Sequence, residues 1–215
     1  MSKPQVPYIP GEIYHVFNHA NGWELVFREE ENFRYFLQKY GEAMPPLLET
    51  LAYCLLPNHF HSLVRVRPKE TLAVFYRQKH GLPPLSPGDA KGLAGPDFNK
   101  IVRQEFGNFL GGYARAFNNW HERMGSLFMQ NTKRKLVGTP QYFKNVIHYI
   151  HCNAMHHDFV AYPEAWPHSS YHAFLSDKPT KLAREQGLQW FGGVEAFVQF
   201  HQKPPLPGME ELLEV

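Results

Sequence analysis

The sequence predicts an α+β fold of the ferredoxin-like kind, an antiparallel sheet with helices packed on it. Segments of period-two hydrophobicity interleave with segments of helical spacing, in the order strand, helix, strand, strand, helix, strand, helix and tail. The two middle strands are separated by only Pro57-Asn58, which makes them an antiparallel hairpin. Helices are expected to cover one face of the sheet and to leave the other for function.

Residues 11–18 open the fold, because Ile13, His15 and Phe17 alternate with Tyr14 and Val16 as side chains do on a strand. Asn21-Gly22 then marks a turn. From Glu29 the spacing becomes helical, with Phe33, Phe36, Leu37 and Tyr40 on one side and acids in the first turn, until Gly41 and Pro45-Pro46 end it. Residues 51–56 and 60–66 form the hairpin. In its second strand Phe60, Ser62, Val64 and Val66 share one face, and His59, His61, Leu63, Arg65 and Arg67 share the other.

Residues 77–97 are rich in glycine and proline and are read as a loop insertion. A long helix follows over 98–124, carried by Ile101, Phe106, Phe109, Leu110, Tyr113 and Phe117 and weakened at Gly107 and Gly111-Gly112. Residues 126–137 read as a strand or strand-loop holding Lys133-Arg134-Lys135. Thr139 as cap and Pro140 at the first helical position then open a helix that runs to His156. No internal repeat occurs. The organisation is one domain over 1–157 and a C-terminal extension over 158–215, with short aromatic segments and a proline-rich end.

Composition narrows the classes of function. Hydrophobic residues at 43% and charged residues at 20% describe a globular chain, which excludes intrinsic disorder as the default. A net charge of +2 permits nucleic acid as partner but confines any basic surface to a local patch. No apolar run reaches the roughly 20 residues of a membrane span, and no signal peptide opens the chain, so the expected location is cytoplasmic. Cys54 and Cys152 are expected as reduced, buried thiols.

The chemistry-bearing stretch is Pro57-Asn58-His59-Phe60-His61. Two histidines at i and i+2 on a strand point the same way, and neutral imidazoles bind divalent metals. In a chain with 13 histidines such a pair also arises by chance, and spacing alone does not separate the two readings. On the 139–156 helix, Phe143, Ile147, Ile150 and Ala154 form the apolar stripe, while Tyr142, Tyr149, Asn153 and His156 share the adjacent face. Tyr149 and Asn153 lie one turn apart, where they fit either the approach to a metal or a boundary aromatic beside a solvated amide. By the same count His148 and His151 point away and are read as surface histidines, and His156 as able to approach the site.

The segment Leu55-Leu56-Pro57-Asn58-His59-Phe60-His61-Ser62-Leu63-Val64 resembles the His-hydrophobic-His motif of the single-tyrosine (HUH-type) transposases, in the REP-associated branch. Tyr149-Ile150-His151-Cys152-Asn153 resembles the tyrosine helix of that family, with Ala154 where the family has proline. Tyr14-His15-Val16-Phe17-Asn18, Gly125-Ser126-Leu127-Phe128 and Trp166-Pro167-His168-Ser169-Ser170-Tyr171 extend the likeness in the right order over residues 8–172. The resemblance implies a DNA strand transferase acting on single-stranded or hairpin DNA, as monomer or homodimer. It implies that His59 and His61 hold Mg²⁺ or Mn²⁺ with Asn153 as third ligand, and that Tyr149 attacks the scissile phosphate to leave a 5′-phosphotyrosine. DNA contacts would fall to Arg65, Arg67, Lys133, Arg134 and Lys135, with Phe128 available for stacking on bases. The competing expectations are a catalytically silent hairpin-binding protein and a metal-dependent hydrolase using the histidine pair alone.

Overall fold

The structure, a computed structural model, describes residues 6–86, 88, 96–209 and 213. Four strands, β1 (Ile13–His19), β2 (Leu48–Leu56), β3 (His59–Val66) and β4 (Lys133–Leu136), form one sheet in the order β2-β3-β1-β4. Every neighbouring pair is antiparallel. With α1 (Glu30–Ala43) between β1 and β2, and α3 (Phe98–Trp120) between β3 and β4, this is the ferredoxin-like βαββαβ arrangement. The α+β fold expected from the sequence is the fold observed.

Alternation divides the strands between two cores. Tyr14, Val16, Phe60, Val64 and Val66 pack under α1 and α3, against Phe33, Phe36, Phe106, Phe109 and Tyr113. Ile13, Leu51 and Leu63 pack on the other side against Val146, Ile147 and Ile150 of α4 (Pro140–His156). The sheet is therefore covered on both faces, whereas the sequence reading left one face open. What makes the second face coverable is the C-terminal segment, which supplies Tyr171, Phe174, Phe191 and Phe197 to the core around α4.

That segment folds into the short helices α5 (Tyr171–Leu175), α6 (Arg184–Phe191) and α7 (Val194–His201). It also closes the free edge of β2, which otherwise exposes unpaired backbone groups. Leu55 N–H donates to the His168 carbonyl at 2.9 Å, Ser170 N–H to the Tyr53 carbonyl at 2.9 Å, and Ala183 N–H to the Thr50 carbonyl at 2.8 Å. Trp166 adds its indole N–H to the Leu55 carbonyl at 2.9 Å.

Other departures are local. Arg77 to Lys79 belong to α2 (Lys69–Lys79), a helix the sequence reading passed over. Its apolar Leu72 and Ala73 are buried. Of the expected loop, residues 87 and 89–95 lie outside the described residues. Asp97 caps α3 by accepting from Lys100 N–H at 3.0 Å. Thr139 stands at the cap position of α4 with Pro140 after it, but its hydroxyl makes no capping bond. Cys54 and Cys152 are buried free thiols, as expected.

His148 and His151 are buried, which corrects their reading as surface residues. One ring nitrogen of His151 lies 2.9 Å from His201 and the other 2.8 Å from Ser170 Oγ. Burial pulls the pKa of His201 down to about 3 and that of His148 to about 4, each from an ordinary 6.5. A folded pKa below the unfolded one means stability that is full above about pH 6.5 and is lost as pH falls toward those values. By pH 5 each such group costs about 2 kcal/mol. The urea midpoint is expected to drop clearly between pH 7.5 and pH 5, and an unchanged midpoint would contradict the burial argument.

Gly187 tests the same packing sterically. A Cβ there would stand 2.5 Å from Cε1 of the buried Phe174 ring. Gly187→Ala should therefore destabilise by about 1–3 kcal/mol, although alanine favours helices. A thermal melt with an unchanged or raised midpoint would show that the α5–α6 packing is wrong.

Candidate active site

The two histidines of β3 reach the α4 side of the sheet because the Pro57-Asn58 turn starts the strand at His59, leaving Phe60 to the opposite core. The i, i+4 spacing of α4 turns Tyr149 and Asn153 toward them. His59 Nε2 is 3.1 Å from Asn153 Oδ1, and its Nδ1 is 2.8 Å from Asn58 Oδ1. The Tyr149 ring stands edge-on to His61, with centroids 6.1 Å apart at 87°, and to His15 at 6.3 Å and 89°. Residues ninety positions apart in the chain thus meet in one polypeptide.

Strand pairing brings further imidazoles that the sequence reading did not assign. The register β1 to β3 sets His19 opposite His59, and their rings stack at 4.5 Å. His15 Nε2 lies 3.0 Å from His61 Nδ1. At the end of α4, His157 is 4.9 Å from His59, ring to ring, and His156, which the sequence reading had as able to approach the site, is 5.5 Å from Tyr149. The signal for His15 was its place on the His-bearing face of β1. What the sequence lacked was the β1–β3 register.

Burial sets the protonation of this cluster. His59 is held at about 3 by burial first and then by its neighbours His19 and His157. His61 lies well below the ordinary value through burial and His15, and His15 is held at about 3 through burial and Lys135. All three rings are neutral at physiological pH, the form that ligates metals. Tyr149 itself is 1% exposed.

The five basic residues do not form one patch. Lys135 is opposite His15 and Lys133 opposite Phe17, so both belong to the face that carries Tyr149. Lys133 is exposed, its ammonium 5.8 Å from the Phe17 ring. Arg134 points to the other face, is buried, donates to the Val6 carbonyl and lies 4.3 Å over the Tyr8 ring. Arg65 pairs with Glu49 at 2.8 Å and bonds Gln186 at 2.7 Å, while Arg67 pairs with Glu49 at 3.4 Å. Arg65 is six residues along β3 from His59, roughly 20 Å at strand rise. Phe128 is buried in the α1/α3 core.

Among the described residues, no group of three His, Cys, Asp or Glu side chains is placed to hold one ion, and no helix is long and apolar enough to cross a membrane. No family model matches the chain, and no curated protein matches it in sequence. A solved structure, that of a REP-associated tyrosine transposase bound to a REP hairpin, is similar to it with a TM-score of 0.53 and 15% identity. The match covers 85% of this chain and 92% of that one. At that identity the likeness establishes a shared fold.

Proposed function

We propose that this chain is a metal-dependent DNA strand-transfer enzyme that nicks single-stranded or hairpin DNA through Tyr149. The observation that carries the reading is the convergence of Tyr149, Asn153, His59 and His61 at one end of the sheet. The structural neighbour, a transposase bound to a DNA hairpin, supports it.

The donor set fits a divalent cation, Mg²⁺ or Mn²⁺. A neutral imidazole has one N–H, yet both nitrogens of His59 face amide oxygens, so one of the two contacts sets a lone pair against a lone pair. With the Nδ1–H donating to Asn58 Oδ1, Nε2 and Asn153 Oδ1 are left as two facing donors to a cation. Adjacent ligands of an octahedral ion at about 2.1 Å lie about 3.0 Å apart, close to the 3.1 Å between these atoms. His61 would complete the set, oriented through Nδ1 by His15, as outer partners orient ligating histidines. The carboxyl end of α4, where Asn153 sits, also favours positive charge. Bound there, the ion would polarise the scissile phosphate and offset its developing charge.

The phenol oxygen of Tyr149 forms the new P–O bond as the bond to the 3′ oxygen breaks, giving a 5′-phosphotyrosine and a free 3′-hydroxyl. A phenol with a pKa near ~10 must lose its proton during attack, and the imidazoles of His15, His61 and His156 surround its ring. The phosphodiester energy is kept in the covalent link, so attack by a 3′-hydroxyl reverses the step. Lys133 and Lys135, which share this face, would contact phosphates. Because Tyr149 is buried, strand entry requires the cover of this face to shift.

Incubating the protein with a hairpin oligonucleotide carrying single-stranded flanks and Mn²⁺ should give a protein–DNA adduct that survives boiling in SDS. Hairpin binding that ignores metal and yields no adduct would instead make this a DNA-binding protein.

A further inference from the structure

A pocket of about 180 Å³ lies between α1, the β2–β3 hairpin and residues 180–182. Its Leu55 and Phe60 belong to the core of α1 and α3, on the face of the sheet opposite Tyr149. We propose that this pocket binds a small aromatic carboxylate, and that the bound molecule clamps residues 180–182 onto the sheet. The inference stands apart from the strand-transfer reading.

Size and surface set the body of the ligand. Phe36, Leu48, Leu55 and Phe60 give the pocket an apolar floor, and the Phe36 and Phe60 rings lie 5.4 Å apart. An apolar cavity of about 150 Å³ takes up benzene, so this one has room for a single ring and a short polar head. Small-molecule sites combine such a floor with a few placed polar groups.

The polar groups here are donors. Tyr40 and Thr50 share one bond between hydroxyls at 3.1 Å, in which one O–H donates and the other stays available. Tyr53 lines the same wall and hydrogen-bonds through its backbone, while its hydroxyl has no partner among the described residues. Burial raises both phenols, Tyr40 up to about 12, so each keeps its proton. Lys181 and Arg67 complete the lining. Lys181 gives one N–H to the Gly41 carbonyl at 2.7 Å, and Arg67 uses Nε on the Pro45 carbonyl and Nη1 on Glu49, which leaves N–H groups on both.

Charge selects an anionic head. No carboxylate lines the pocket among the described residues. Glu49 is shared between Arg65 at 2.8 Å and Arg67 at 3.4 Å, and Glu42 is held by Lys39 at 2.7 Å. With Lys181, four cations stand against two carboxylates. The carboxyl end of α1 offsets only about half a unit of that excess. A guanidinium and an ammonium beside free hydroxyl donors suit a carboxylate.

One wall of the pocket is the strap that closes the sheet edge. Leu182 bridges to Thr50, and Ala183 N–H donates to the Thr50 carbonyl at 2.8 Å. Beyond it the chain enters α6 and α7, whose Phe191 and Phe197 pack in the core that holds Tyr149. A molecule held by Tyr53 on the sheet and by Lys181 on the strap joins the two walls. A ligand that binds only the closed arrangement stabilises it.

Calorimetric titration of the full chain with phenylacetate, acetate and benzyl alcohol tests the pocket. Phenylacetate should bind at least tenfold more tightly than acetate, which lacks the ring, or benzyl alcohol, which lacks the charge. Tyr53→Phe should hold its melting temperature, because the hydroxyl has no partner among the described residues, while phenylacetate affinity falls at least threefold. Leu37→Phe, at a half-buried lining position of α1, should fill the space and weaken phenylacetate at least tenfold in a chain that still melts cooperatively. Lys181→Gln should weaken phenylacetate and leave benzyl alcohol within twofold. Saturating phenylacetate should slow hydrogen exchange of the Ala183 amide at least threefold, and acetate at the same concentration should not. Equal affinity for the three probes, or full affinity in Tyr53→Phe and Leu37→Phe, overturns the site. Binding that leaves Ala183 exchange unchanged overturns the clamp.

Discussion

Tyr149→Phe is expected to abolish the SDS-resistant adduct, lowering its rate by on the order of 10⁴ or more, as loss of a nucleophile does in other covalent enzymes. The variant keeps the ring that packs edge-on to His15 and His61 and loses only the phenol oxygen. Stability should therefore change by about 1 kcal/mol, the scale of one hydrogen bond. A folded, hairpin-binding Tyr149→Phe that still forms the adduct would move the nucleophile elsewhere. Tyr142, two turns earlier on the same helix and half-buried, is the first alternative.

His59→Ala and His61→Ala are expected to have the next largest effects. Each should raise the Mn²⁺ concentration needed for half-maximal adduct by at least about 100-fold, since a lost ligand costs more than the 10–100-fold of a lost outer partner. His15→Ala should fall in that smaller range, because under this proposal His15 would act by orienting His61 through the 3.0 Å contact. The split between metal requirement and saturated rate is the useful readout. A merely structural role for these rings would lower both the melting temperature and the rate without moving the metal requirement. Adduct formation by His61→Ala at the wild-type metal concentration would remove the proposed ion from the reaction.

Two kinds of local periodicity made the site partly legible. Alternation along 59–66 separated His59 and His61 from Phe60, and the observed strand keeps that separation. Helical spacing put Tyr149 and Asn153 on one side of 140–156, and both do face the histidines. The same counting failed for His148 and His151. It assumes a helix with one buried stripe, whereas this helix lies between a sheet and three short helices and is enclosed nearly all round. A histidine kept neutral by burial still reads as polar in a sequence.

Arg134 shows the converse. Its neighbours Lys133 and Lys135 share the Tyr149 face, yet strand alternation sends Arg134 to the other side of the sheet, over Tyr8. A basic run counted as one patch was in fact split by a four-residue strand.

What the sequence by itself determined is therefore the order of elements around the sheet and the local direction of Tyr149, Asn153, His59 and His61, because both follow from the backbone periods of strand and helix. What only the tertiary structure decided is who meets whom. The register of β1 on β3 delivered His15 and His19, and the edge contacts of β2 drew the C-terminal segment over α4. Those pairings join residues far apart in the chain and are selected by the packing of whole faces, a condition that no local pattern encodes.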